Sequence, residues 1–273
     1  MISRGLLPVL RPDPSSPPGL LPEEISSETS SGLILAGTLL SPSESRYRVA
    51  NGYLDLLEGR TGAGNPANLS NFLPGAGRLY EPLWRSRSLT LLTGESFPNE
   101  REIELILRLL GRPRGGRYLD LGCSAGLYAR NLALKTGGEV AALDISPPML
   151  KETARRARSE GAQLSLVRAD AHHLPFADAS FSGAACGGTL NELRDPARAL
   201  REAARVLAPG GRLALMGLLR ARSSTGSALQ GLLATSGLRF FTPEEVEQML
   251  RSAGLSPDAL EAYGPVFFAG ASR

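Results

Sequence analysis

A chain of 273 residues, 42% hydrophobic and 21% charged, can bury a substantial core and has neither a disordered nor a fibrous composition. Thirty Lys and Arg against 27 Asp and Glu leave a formal net charge of +3, a weak lean towards anionic partners, but the arginines are scattered rather than gathered on one stripe. The two cysteines, Cys123 and Cys186, lie outside any C-x-x-C pair, which argues against a disulfide framework or a structural metal site and for a reducing cytoplasm.

Residues 1–31 open with a short apolar run that Pro12, Pro14, Pro17 and Pro18 break before it reaches the length of a secretory core. Rich in Pro and Ser, this stretch is expected to be a flexible arm. Residues 32–75 begin with strand-like runs at 32–40 and 46–50, closed by Asn51-Gly52, and then become rich in Gly, Asn and Pro. A small β appendage followed by a linker is predicted there.

The main domain is assigned to residues 76–273. After Pro98, Ile103, Ile106, Leu107 and Leu110 recur at helical spacing until Gly111 and Pro113 stop the helix. Strands are predicted at 117–121, 139–144, 164–169, 181–186, 211–217, 255–262 and 266–270, with helices at 127–136, 148–160, 196–207 and 243–253. Thr242-Pro243-Glu244-Glu245 supplies a cap, a proline at the first helical position and early acids for the last of these. Alternating strands and helices imply an α/β fold, a Rossmann-like sheet with helices on both faces. No apolar run approaches the length needed to cross a bilayer.

The residues that carry chemistry cluster where strands end. Asp120-Leu121-Gly122-Cys123-Ser124-Ala125-Gly126 is a strand end, a tight turn and a helix start; Gly122 and Gly126 allow a close backbone approach to a ligand. A dinucleotide fingerprint would need glycine at position 124, where this chain has Ser124, so a ligand without phosphates fits better. Asp144 ends the next strand and can accept two ribose hydroxyls, or else cap the helix after it.

Asp120-x-Gly122-x-x-x-Gly126 resembles the first motif of class I S-adenosylmethionine (SAM)-dependent methyltransferases, and three later segments match in order. Asp144-Ile145-Ser146-Pro147-Pro148-Met149-Leu150 is similar to the family's second motif, and Asp170-Ala171-His172-His173-Leu174-Pro175-Phe176 to its third. Cys186-Gly187 then ends the strand at which family members bring cofactor and acceptor together. The resemblance implies a seven-stranded sheet and SAM as cofactor. It places Gly122, Cys123, Ser124 and Gly126 under the methionine part and Asp120 towards its amino group. Asp144 would hold the ribose, Ile145, Met149, Asp170 and Ala171 would border the adenosine, and Gly187 would pass beneath the cofactor. His172 and His173 are read as rim residues rather than bases.

The resemblance leaves the acceptor side unassigned. Asn191 or Glu192 could face an acceptor, although Glu192 equally suits a helix entry. Tyr80 and Trp84 lie on a segment that family members often fold over the cofactor as a lid, and they equally could staple the appendage to the main domain. Residues 33–57 resemble the zinc-binding module that precedes the bacterial 23S rRNA guanine-N1 methyltransferases, but no cysteine precedes Cys123, so a metal-free remnant is expected. Three functions follow: transfer to a small-molecule acceptor, which leads; rRNA methylation; and SAM binding without transfer.

Overall fold

The computed structural model describes residues 1–57, 86–222 and 224–273. The parallel core consists of β6 (Arg117–Leu121), β7 (Glu139–Asp144), β8 (Ser165–Arg168), β9 (Phe181–Gly187) and β10 (Leu207–Leu218), in the order β8-β7-β6-β9-β10. β12 (Val266–Ser272) and β11 (Ser256–Tyr263) continue it antiparallel beyond β10. These seven strands form the expected Rossmann-like sheet.

Why these segments become strands is visible in their burial. Along β7, Val140 and Ala142 belong to one apolar cluster and Ala141 and Leu143 to the other; along β10, Ala214 and Met216 alternate with Leu213 and Leu215 in the same way. Side chains two residues apart share a face, so both faces of the sheet are covered. One face packs α1 (Ser86–Thr93), α2 (Asn99–Leu109), α3 (Leu127–Thr136) and α4 (Pro147–Glu160). The other packs α5 (Pro196–Val206) and α7 (Pro243–Ser252). A further helix, α6 (Ser224–Ala234), was not singled out by the sequence and exposes Leu229, Leu232 and Leu233.

The boundaries follow local chemistry. At α7 the Thr242 hydroxyl accepts from the Glu245 N–H at 3.2 Å while Glu245 accepts from the Thr242 N–H at 2.8 Å, a reciprocal cap contributing about 1 kcal/mol. β10 starts at Leu207 rather than 211 because its pairing with β9 resumes, after a register shift, at Arg212. The Ala208-Pro209-Gly210-Gly211 turn is thus taken up as an irregularity inside the strand.

The N-terminal region departs from expectation. Instead of a flexible arm, residues 1–31 contain β1 (Ile2–Ser3), a short 3-10 turn at Leu7–Val9 and β2 (Leu21–Glu28). Leu6, Leu10 and Leu20 are fully buried, each contributing roughly 1.5–3 kcal/mol relative to exposure. The chain lies along the Leu-Pro-Phe segment, where Arg11 N–H donates to the Pro175 carbonyl and Ala177 N–H to that of Val9, both at 2.8 Å. The prolines that hid a periodic pattern also restrict the unfolded chain, which lowers the cost of ordering it.

The strands of the β appendage join the main sheet. β3 (Leu33–Leu40), β4 (Arg46–Ala50) and β5 (Tyr53–Asp55) form an antiparallel meander, and β5 pairs in parallel with β8. All the described strands therefore belong to one sheet, with β5 covering the edge that β8 would otherwise expose. The expected linker from residue 58 onward lies outside the described residues. Among the described residues, no helix is long and apolar enough to cross a membrane.

Candidate cofactor and acceptor site

The C-terminal ends of β6 and β7 are stitched together by backbone groups. Gly122 and Cys123 both donate their N–H to the Leu143 carbonyl at 2.9 Å, and Gly126 N–H returns to the Cys123 carbonyl at 2.7 Å. Ser124, at φ 47°, donates its N–H to Asp144 Oδ2 at 2.8 Å and accepts at its carbonyl from the Thr153 hydroxyl at 2.6 Å. These N–H groups are spent within the protein. These four N–H groups are thus not offered to a phosphate, in keeping with the reading drawn from Ser124.

The glycines have a reason that the sequence did not show. A Cβ on Gly122 would overlap the Thr189 side chain, one on Gly126 would overlap Thr153, and one on Gly187 would fall 2.5 Å from the Tyr128 ring. In each case a protein side chain fills the space, so close packing alone requires glycine. Gly187 thus supports Tyr128 rather than presenting an open floor to a ligand. Gly188, by contrast, is at φ +78° and its missing side chain would meet open space.

Asp144 ends β7 and is 8% exposed. Its Oδ1 accepts from Ser146 N–H and its Oδ2 from Ser124 N–H, both at 2.8 Å. Each carboxylate oxygen has a second lone pair for a further donor such as a hydroxyl. Burial raises its pKa above the ordinary carboxylate value, opposed by the N–H groups of Ser146, Ser124 and Ile145. Asp120, 2% exposed, accepts from Ala129 N–H at 2.8 Å and so anchors the first turn of α3. Cys123 and Met149 are buried in the core beside this turn, and burial raises the Cys123 thiol pKa.

Beyond β8 a cavity of about 920 Å³ opens against Ile145, Ala169 and Asp170, with Leu56 and Leu57 on its appendage side. Ala171 is buried behind it. The Asp170 carboxylate accepts from His172 N–H at 2.9 Å and from His172 Nδ1 at 2.7 Å, which holds Asp170 below the usual carboxylate range. His172 Nε2 accepts from the Asp195 N–H at 3.2 Å. Both ring nitrogens are thus engaged in joining two loops, and neither is presented as a base.

On the acceptor side the expectation for Asn191 is corrected. Asn191 is 1% exposed; its amide donates to the carbonyls of Leu218 and Arg239 at 2.9 and 2.6 Å and accepts from Leu218 N–H at 2.9 Å. It ties the end of β10 to the loop before α7 and is not offered to an acceptor. Glu192 lies in the same 3-10 turn and is half-buried. Tyr80 and Trp84 lie outside the described residues.

Two polar links escaped the sequence reading. Tyr128 donates to the fully buried carboxylate of Glu102 in the first turn of α2. Thr189 donates to the Gly122 carbonyl at 3.1 Å and locks the turn after β9 to the glycine turn. No local motif announces either contact, because the partners are distant in the chain.

Comparison with known proteins decides the family. Residues 119–215 match the methyltransferase domain. The chain is 31% identical over 194 residues to the 27-O-demethylrifamycin SV methyltransferase of Amycolatopsis mediterranei, covering 67% of this chain and 68% of that protein. This chain belongs to the SAM-dependent methyltransferase family. The methyltransferase GfsG of Streptomyces halstedii is 41% identical over 118 residues, 42% of each protein, so the chain spans less than half of that relative's length. Among solved structures, the [4+2]-cyclase SpnF shares the fold at a TM-score of 0.55 and 22% identity, over 64% of this chain and 80% of that one.

The residues expected to meet the ribose and adenine have a chemistry that SAM could use. Asp144 retains lone pairs for hydroxyl donors, and Ile145 and Asp170 line a cavity beside it.

Proposed function

We propose that this methyltransferase-family chain transfers a methyl group from SAM to a small-molecule acceptor. The observation that carries the reading is the Asp144 turn, a buried carboxylate held by two backbone N–H groups beside the cavity that Ile145 and Asp170 line. Asp144 would hold the ribose hydroxyls, and Ile145 and Asp170 would border the adenine. Bound SAM supplies the activated methyl group and its leaving group. The chain's own contribution is alignment and exclusion of water, for which the Glu102–Tyr128 pair and Thr189 stiffen the junction of β6 and β9.

The small-molecule reading is supported by the relative named for a demethylrifamycin and by the fate of the arginines. Arg46, Arg108, Arg117, Arg205, Arg212 and Arg220 all pair with carboxylates on the protein itself, so these six do not form an unneutralised stripe for a phosphate backbone. Calorimetry with SAM and its product S-adenosylhomocysteine (SAH), followed by mass spectrometry of co-purified small molecules before and after incubation with SAM, tests the proposal. A gain of 14 Da, one CH₂ per transfer, on a bound compound is the expected result. Salt-sensitive RNA binding with methyl incorporation into RNA would replace it with the rRNA reading, and tight SAM binding without any methylated product would favour binding alone.

A further inference from the structure

One buried guanidinium joins the N-terminal appendage to the turn that carries Asp144. Arg168, the last residue of β8, is 6% exposed. Its Nη1 donates to both carboxylate oxygens of Asp55 on β5, at 3.2 and 3.0 Å, and its Nε donates to the Ile145 carbonyl at 3.2 Å. The backbone reinforces the junction: Leu56 N–H donates to the Arg168 carbonyl at 3.1 Å and Leu57 N–H to Asp55 Oδ1 at 3.0 Å. Ile145 stands between Asp144 and Ser146, whose N–H in turn holds the Asp144 carboxylate.

We infer that Asp55 and Arg168 are positioning residues for the cofactor: the appendage supplies the carboxylate that keeps Arg168 against the Ile145 carbonyl, and this fixes the 144–146 turn in its adenosine-binding shape. The inference rests on the reading of this turn as part of a SAM pocket. Its physical basis is the cost of removing one member of a buried ion pair. Without the Asp55 charge, Arg168 gains by turning out to water, and the Ile145 carbonyl loses its donor. The turn would then sample other shapes, and a carboxylate that must meet two hydroxyls at once tolerates little displacement.

The other ion pairs of the described appendage, Arg4–Glu28 and Arg46–Glu23, are more exposed and link the appendage only to itself. Asp55–Arg168 crosses into the parallel sheet. This gives the first 57 residues a part in cofactor binding that does not depend on any metal or on contact with an acceptor.

The test uses the full chain and SAH as the probe. Asp55→Asn, Arg168→Met and Arg168→Lys are compared with the unaltered protein by calorimetry, thermal unfolding and amide hydrogen exchange. Asp55→Asn is expected to weaken SAH binding about tenfold or more, in line with the loss of a group that orients a ligand-holding residue. Combining it with Arg168→Met should add little to the loss from Arg168→Met alone, because the two act as one unit.

Arg168→Lys keeps the charge for Asp55 but not a second donor in the right place for Ile145, so it should recover most of the thermal stability and little of the affinity. A purely structural role would recover both. Exchange should accelerate at residues 144–150 and stay slow across β9. SAH affinity within twofold of the unaltered protein in both Asp55→Asn and Arg168→Lys overturns this inference alone. Failure of the unaltered protein to bind SAH overturns the SAM reading, and the inference with it.

Discussion

At the ends of β7 and β8 the polar side chains hold turns that border a cavity, whereas at the ends of β9 and β10 they hold the chain to itself. Asp144 and Asp170 each accept from neighbouring N–H groups, Asp170 lining the cavity and Asp144 preceding its lining residue Ile145, while Asn191 spends its amide on two strand and loop segments. The difference teaches where a shared ligand leaves a mark. On the proposed reading, the carboxylate for the ribose stands at a strand end that is legible in the local sequence, and the acceptor side carries no such local signal.

The comparison breaks first at Gly122, which belongs to both halves through Thr189. Gly122→Ala should lower stability by about 2–4 kcal/mol, because its φ of 71° is left-handed and its Cβ would overlap Thr189. Urea unfolding measures this. A loss below about 0.5 kcal/mol would mean that the turn adapts and that packing does not dictate the glycine. A larger side chain such as Arg adds to the same clash, so it cannot separate cofactor binding from folding.

Asn191→Ala comes next, at about 2–3 kcal/mol, since it strips partners from buried backbone groups at once. SAH affinity in that variant should match the unaltered protein once folded. A selective loss of affinity instead would return Asn191 to the binding site. Asp144→Asn is expected to weaken SAH binding about tenfold, or 1.4 kcal/mol, as one charged hydrogen-bond acceptor is lost, and to cost about 1–3 kcal/mol of stability because its amide NH2 would face one of the two backbone N–H groups that the carboxylate accepts from.

The Asp144 effect should also depend on pH. Its pKa in the folded protein is raised by burial, so the proton is held more tightly there than in the unfolded chain. From about pH 4, the ordinary carboxylate range, up to the raised pKa, ionising Asp144 therefore works against folding. Ligand hydroxyls donate to the ionised form, so SAH affinity should climb through the same window and stay flat in Asp144→Asn. Calorimetry across that range would reveal a flat profile in the unaltered protein if Asp144 does not touch the ligand.

His172→Gln is the mildest change. It should cost about 1 kcal/mol by loosening the link between Asp170 and the Asp195 N–H, and leave methyl transfer intact. A rate loss of a hundredfold or more without a change in SAH affinity would show that His172 moves a proton in the reaction after all.

The sheet from β6 to β12 was legible because its strands alternate faces and its helices carry caps written within four residues, as at Thr242–Glu245. The N-terminal residues were not. Leu6, Leu10 and Leu20 are too widely spaced by prolines to show a period, and their partner Phe176 lies far along the chain. The same limit applies within the site. Asp144 follows from its place at a strand end and Asp170 only from the resemblance of its segment, and the contacts that hold them, Ser124 to Asp144 and His172 to Asp195, exist only after the loops have been brought together.

The single continuous sheet also sets an order of events during synthesis. Asp55 and Arg168 are 113 residues apart, so at roughly 5–20 residues per second β5 waits several seconds or more for the edge it completes. Throughout that interval Leu6, Leu10 and the apolar face of β3 lack the partners that later cover them. These segments are made well before the strands that cover them, and their apolar faces stay open until Arg168 and Phe176 arrive.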